Sequence, residues 1–291
     1  MDTILCAVDF SSFTPQTVRV GARLAKSYGA RLILFHSVAF PIDGIFASDR
    51  PERDIKARRL AREARQRLEA LAAEVEAPCE LLLADGDPVE ALQGLVRFRP
   101  VDLVVTASRG IGGVERLIVG TVVERMVVKA ACPILMLRMH PGGVQGGDGQ
   151  GFARLLVGCA LRQSRDPAVD FARRLALGLR AELHLLHVLE APLDEDLNGS
   201  YEEIQKAPPD RIARRLEAVC PDRRHGERIF TRVYPGVPAE ALRRCAREID
   251  CDLIVVGVHR VGALKGALIG TTARQLLHKA PCSLLTVPES F

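Results

Sequence analysis

At 291 residues the chain is about twice the usual domain length of roughly 150, which predicts two domains. Its 48% hydrophobic and 26% charged residues are those of a globular protein and exclude a disordered one. With 40 Lys+Arg against 36 Asp+Glu, each half carries only +2, so neither is a basic nucleic-acid module or an acidic tail. Aromatics at 4%, with no Trp, argue against a stacking platform for single strands.

The first apolar run, Ile4-Leu5-Cys6-Ala7-Val8, is bracketed by Asp2 and Asp9, which is not the pattern of a signal peptide. No apolar stretch reaches the roughly 20 residues that span a bilayer. The eight cysteines contain no C-x-x-C pair, and several sit in apolar runs. A soluble, reduced, cytoplasmic chain without a membrane partner is expected.

In chain order, strands are predicted near 3–8, 31–38, 79–84, 101–107 and 133–139. Helices are predicted near 14–28, 51–75, 87–98 and 114–130. Thr14-Pro15 looks like a cap with Pro at the first helical position, and Asp87-Pro88 is a similar start. Strands apolar throughout, such as Leu103-Val104-Val105, fit a parallel sheet covered on both faces. The basic run Arg50 to Arg67 is interleaved with Glu52, Asp54, Glu63 and Glu69, and reads as a solvated, ion-paired helix face. The alternation predicts a doubly wound α/β domain of five strands and four helices.

The whole pattern then recurs. Val20-Gly21-Ala22-Arg23-Leu24-Ala25 returns as Phe171-Ala172-Arg173-Arg174-Leu175-Ala176, an offset of 151 residues. Gly86-Asp87-Pro88 returns as Gly236-Val237-Pro238, and Asp102-Leu103-Val104-Val105 as Asp252-Leu253-Ile254-Val255, an offset of 150. A register held this well is a duplicated domain. Domains are expected at 1–140 and 152–291, joined by a Gly-rich linker at 141–151.

In doubly wound sheets ligands bind at the carboxyl ends of the strands. Two segments reach that position: Val8-Asp9-Phe10-Ser11 and Ala107-Ser108-Arg109-Gly110 onward to Gly120-Thr121. Glycines before a helix bring backbone N–H groups close to an anion. Taken alone, Gly110-Ile111-Gly112-Gly113 fits a plain turn as well as a phosphate cradle. Gly120-Thr121 falls inside a helical pattern, where Gly costs about 1 kcal/mol against Ala, so a break or a close approach is expected there.

The spacing G-x-x-G, nine residues, then G-[S/T] after a fourth strand resembles the nucleotide-binding motif of universal stress proteins. The opening Ile4 to Ser11, the strand end Phe35-His36-Ser37-Val38 and the closing Ala131-Cys132-Pro133-Ile134-Leu135 are similar to that family too. The resemblance covers nearly the whole chain twice. It implies a tandem universal stress protein, its two domains paired as a pseudo-dimer through their fifth strands, with a homodimer as a further possibility. It also implies ATP, with or without Mg, held between the first and fourth strands. Carried over by position, Ala7, Val8 and Asp9 would lie near adenine and ribose, with Ser37 beside the base. Ala107 and Gly110 would lie near ribose and phosphate, and Gly120, Thr121 and Val122 at the outer phosphates.

The first copy departs from the family motif at Ala107, where a Gly is usual, and at Ser37, where Val is frequent. The second copy keeps Gly257, Gly270 and Thr271 but has Ala160 for Asp9 and Arg260 for Gly110, and reads as a degenerate partner. His36 and His187 end matched strands and read as hydrogen-bonded sheet histidines; Cys245 and Cys251 lack the neighbours of a metal site. Three functions compete: a nucleotide-binding regulator of the stress response, an interaction scaffold, and a slow ATPase. No nucleophile–base constellation is legible, so no catalytic residue is assigned and an enzyme is the least favoured.

Overall fold

A computed structural model describes residues 1–38, 50–75, 77–108, 120–129, 131–140, 143–144, 151–161, 166–190, 208–220, 226–261, 268–289 and 291. The chain divides into two compact units, Met1–Ile134 and Leu135–Phe291, the division falling inside a strand. No helix among the described residues is long and apolar enough to cross a membrane.

The first unit runs β1 (Thr3–Ala7), α1 (Thr14–Tyr28), β2 (Arg31–Val38), α2 (Arg50–Ala73), β3 (Cys79–Asp85), α3 (Pro88–Phe98), β4 (Leu103–Ala107) and α4 (Thr121–Lys129). Strand β5 (Ile134–Leu137) starts beside β4, where the Val104 N–H donates to Pro133 O at 2.9 Å. The strand order is β4-β1-β2-β3, parallel throughout. Strands β1 and β4 are apolar on both faces and buried, as a doubly covered sheet requires.

A short antiparallel pair follows, β6 (Met139–His140) with β7 (Gly143–Val144), so the stretch expected as linker begins with a ladder. The second unit continues with β8 (Arg154–Gly158), α5 (Pro167–Leu179), β9 (Glu182–Leu189), α6 (Pro209–Val219), β10 (Arg228–Pro235), α7 (Pro238–Glu248) and β11 (Leu253–Val258). It ends with β12 (Arg260–Val261), β13 (Leu268–Ile269), α8 (Thr271–Lys279) and β14 (Ser283–Pro288). Its main sheet is ordered β10-β9-β8-β11-β14.

The duplication extends to single hydrogen bonds. Asp102 accepts from the backbone of Asp2 and Thr3, and Asp252 accepts from Ala153 and Arg154. In both units a carboxylate ahead of the fourth strand pins the start of the first. Helix α3 is capped as its sequence predicts: Asp87 Oδ1 accepts from Val89 and Glu90, with Pro88 in the first turn. Helix α1 is not. Phe13 holds the cap position without a side-chain bond, and Thr14 is already helical, its hydroxyl donating to Asp9 Oδ1 at 3.1 Å. An acceptor in the preceding turn, five residues back, has taken the hydroxyl that the cap would use.

Helix α1 ends on Gly29 at φ 63°, whereas α5 ends on Arg180 at φ 56°. A left-handed conformation costs a residue with a Cβ about 1–2 kcal/mol, which Gly avoids. Arg180→Gly should therefore stabilise the chain by about 1 kcal/mol, seen as a raised thermal midpoint.

Burial lowers the proton affinity of three sheet histidines, His36, His184 and His187, below the ordinary 6.5. The unfolded chain then binds more protons than the folded one as pH falls below 6.5. Stability should be fully present above that pH and decline as pH drops toward the folded-state values. His187→Gln should flatten the decline in denaturant titrations between pH 7 and 5; an unchanged slope would contradict it.

Candidate functional site

From β1 the chain of the first unit winds one way to β2 and β3 and the other way to β4. The crevice at the carboxyl ends of β1 and β4 is the switch point where such sheets take ligands. The registers Cys6↔Val105 and Ala7↔Phe35, continued two residues, set Val8 beside Ala107 and Asp9 beside Ser37. Ala7, Val8, Asp9, Ser37 and Ala107 thus converge on one end of three adjacent strands.

Each has a defined local role. Val8 is buried, and its N–H donates to Phe35 O at 2.9 Å. Asp9 Oδ1 accepts from Ser11 N at 2.9 Å and from the Thr14 hydroxyl, turning the chain into α1. Its Oδ2 makes no hydrogen bond among the described residues. The Ser37 hydroxyl donates to Gly86 O at 2.7 Å, tying β2 to the turn after β3. Ala107 is an ordinary strand residue of β4, so no left-handed strain attaches to it. At its counterpart Gly257, a Cβ would meet only Ala168 Cβ at 3.9 Å, so either residue fits.

Gly110 lies outside the described residues. The loop returns where the Gly120 N–H donates to Ser108 O at 3.3 Å, and Gly120 O accepts from Glu124 N at 3.2 Å. Helix α4 therefore begins at Thr121. Gly120 precedes it instead of interrupting a helix over 114–130, and the residues 114–119 expected to be helical lie outside the described ones. A Cβ on Gly120 would meet nothing within 4 Å among the described residues. Thr121 is exposed at the helix start and Val122 half-buried, so the free N–H groups of the first turn lie at this end of the sheet.

Three participants escape a reading of the sequence. Phe10 sits at φ 59° between Asp9 and α1. Arg67 of α2 donates to its carbonyl at 3.1 Å and lies 4.2 Å above its ring, whose other neighbour is the His36 ring at 4.2 Å. His36 Nδ1 is 2.8 Å from Val8 O; as that carbonyl only accepts, the ring donates from Nδ1. Arg125 of α4 grips both oxygens of Asp87 at 2.7 and 3.0 Å, fixing α4 against α3. The Arg125 guanidinium also holds the Asp87 carboxyl below its ordinary value.

The second unit repeats the frame. Leu161 at φ 56° repeats Phe10, Arg215 donates to its carbonyl as Arg67 does, and His187 Nδ1 lies 2.8 Å from Cys159 O. Both sheet histidines have the hydrogen-bonded role their sequence suggests. At the β8–β11 crevice lies a cavity of about 380 Å³ lined by Cys159, Ala160, Asp166, Gly257, His259 and Gly270, among others. Ala160 brings no carboxylate, but Asp166, the cap of α5, stands in the same crevice, its acid pushed up by burial. His259 pairs with Glu289. Arg260 occupies a short ladder opposite Ile269, so the backbone there is extended and needs no glycine.

Against known proteins, the model of the Universal stress protein family matches residues 1–138 and again 151–288. A universal stress protein of Thermus aquaticus is 33% identical over 136 residues, 47% of this chain and 98% of that protein. A universal stress protein structure from Archaeoglobus fulgidus superposes with a TM-score of 0.63 at 18% identity, covering 99% of this chain and 98% of its own. A putative universal stress protein from Pseudomonas aeruginosa gives 0.63 at 17% identity, covering 100% and 94%. These two likenesses are of fold.

Proposed function

Because this chain belongs to the universal stress protein family, with the domain present twice, we propose that it is a nucleotide-binding regulator of the stress response that holds ATP at the ends of β1 and β4. One observation carries the reading. The strand registers bring Asp9, Ser37 and Ala107 together at the switch point, near Gly120, whose Cβ position is open among the described residues. Asp9 has one oxygen spent on the helix entry and a second to offer a ribose hydroxyl. Gly120 and the first turn of α4 offer backbone N–H groups to phosphate. With Mg present, the metal would add charge neutralisation at the phosphates.

We assign binding to this site; among the described residues no nucleophile is paired there with a base. The pairing of the two domains through Ile134–Leu137 and Ser283–Pro288 belongs to the same reading, on the strength of their apolar sequences. So does a cytoplasmic location, in keeping with eight free cysteines. The cavity beside Asp166 favours a second reading, in which the C-terminal domain also takes a ligand.

Calorimetric titration of ATP into the full chain tests the proposal. One ATP should bind per chain, and Asp9→Asn should weaken it about tenfold while leaving the acceptor for Ser11 and Thr14 in place. No heat with wild-type protein, or unchanged affinity in Asp9→Asn, would refute the assignment.

A further inference from the structure

At the amino end of the second sheet, opposite the crevice, lies a cavity of about 360 Å³ between the end of α5 and the starts of β9 and β10. Its floor is apolar, formed by Ala176, Leu177, Leu183 and Ile229. Its rim bears Arg173, Arg180 and Arg228 with Glu227.

Two of the arginines are engaged. Arg173 grips both oxygens of the buried Glu227 at 2.8 and 2.9 Å. Arg228 donates to Glu182 Oε1 at 3.0 Å and to Arg180 O at 3.4 Å. With Arg154, which shares Glu182 at 3.6 Å and reaches Asp250 at 3.9 Å, four guanidiniums face three carboxylates among the described residues, leaving one positive charge over. The surplus is Arg180, which is exposed and whose guanidinium has no partner among the described residues.

Arg180 is also the residue strained at φ 56° where the first unit uses Gly29. Backbone strain that a sister repeat avoids points to a role for the side chain. The first unit has no such cluster among its described residues. The 151-residue offset sets Ala22 in place of Arg173, and strand register sets Pro78 in place of Arg228. The arginine rim belongs to the second repeat alone.

We propose that this cavity is a ligand site, separate from the nucleotide crevice, for a small amphipathic anion. The apolar body would lie on the Ala176–Ile229 floor and an oxyanion head, carboxylate or phosphate, on Arg180 with Arg228 beside it. A volume of about 360 Å³ is at the small end of ligand pockets, which run from roughly 300 to 1,000 Å³.

Octanoate, octyl phosphate, octanol and inorganic phosphate are titrated calorimetrically into the full chain and into Arg180→Gly. One anion-headed amphiphile should bind per chain, more tightly than octanol or inorganic phosphate, and the tighter of the two names the head. Arg180→Gly should lose about tenfold in that affinity, since a charged hydrogen bond goes, while its thermal midpoint rises. Opposite signs for stability and binding exclude a folding defect as the cause. Saturating ATP should leave the titration unchanged. Equal affinity in Arg180→Gly, octanol binding as well as the anions, no binding at all, or displacement by ATP would each overturn the proposal.

Discussion

Gly120→Val should abolish ATP binding while the fold stays intact, and Gly270→Val should change affinity little. Among the described residues neither glycine is packed: a Cβ at either would meet nothing within 4 Å. Gly270 already has φ −56° and ψ 150°, a conformation open to any residue. The valine therefore meets no neighbour among the described residues, and on the proposed reading its methyl groups would fill the approach of the phosphates to the start of α4. Thermal midpoints of both variants should lie near wild type, so a lost titration reports on the ligand. Equal losses in the two variants would move the nucleotide to both domains. Loss in Gly270→Val alone would move it to the cavity beside Asp166.

Gly21→Ala should have the largest effect on stability. Gly21 lies on the buried face of α1, where an added Cβ would sit 2.1 Å from Cys6 Sγ, deep in β1. Cys6 is wholly buried, its thiol pushed up to about 12, so it behaves as a small hydrophobe. Sγ ends a short side chain hemmed in by the sheet, and overpacking of this kind costs about 1–3 kcal/mol. Adding Cys6→Ala removes the obstructing atom and should restore most of the lost stability, a coupling that a double-mutant cycle reads directly. The second repeat carries Val157 and Ala172 at these positions, so there the sheet–helix contact accommodates a helix alanine beside a different strand residue. Urea denaturation giving Gly21→Ala within about 0.5 kcal/mol of wild type would contradict the packing.

What the sequence discloses follows how local each interaction is. Asp87-Pro88 could be read as a cap because donor and acceptor lie two and three residues apart. The duplication was legible in apolar runs and carries over to Asp102 and Asp252, whose hydrogen bonds reach about a hundred residues back. Thr14 was misread because the group that claims its hydroxyl, Asp9, belongs to the preceding turn. A single helix over 114–130 was expected because apolar spacing continues through Ile118 and Val119, but Gly120 is not helical and α4 starts at Thr121. The bond from Gly120 to Ser108, which closes the loop, has no local signature. Phe10 and Leu161 are the least visible. Apolar residues in left-handed backbone carry no sequence signal, and the arginines that hold their carbonyls come from helices 54 to 57 residues away.

The candidate site divides along the same line. Sheet topology and register assemble Asp9, Ser37 and Ala107, so their convergence was foreseeable from the repeat pattern and the switch-point rule. The brace beneath them, Arg67 on Phe10 on His36, and the Arg125–Asp87 clamp behind α4 depend on side chains meeting across elements.

The first domain is proposed as a nucleotide site. The most direct test of that assignment is to purify the full chain, denature it, and run the released small molecules on anion-exchange chromatography with ultraviolet detection. ATP or ADP approaching one equivalent per chain, absent from Gly120→Val prepared in the same way, is the result predicted. A wild-type chain that releases no nucleotide and takes up none when ATP is added back would contradict it.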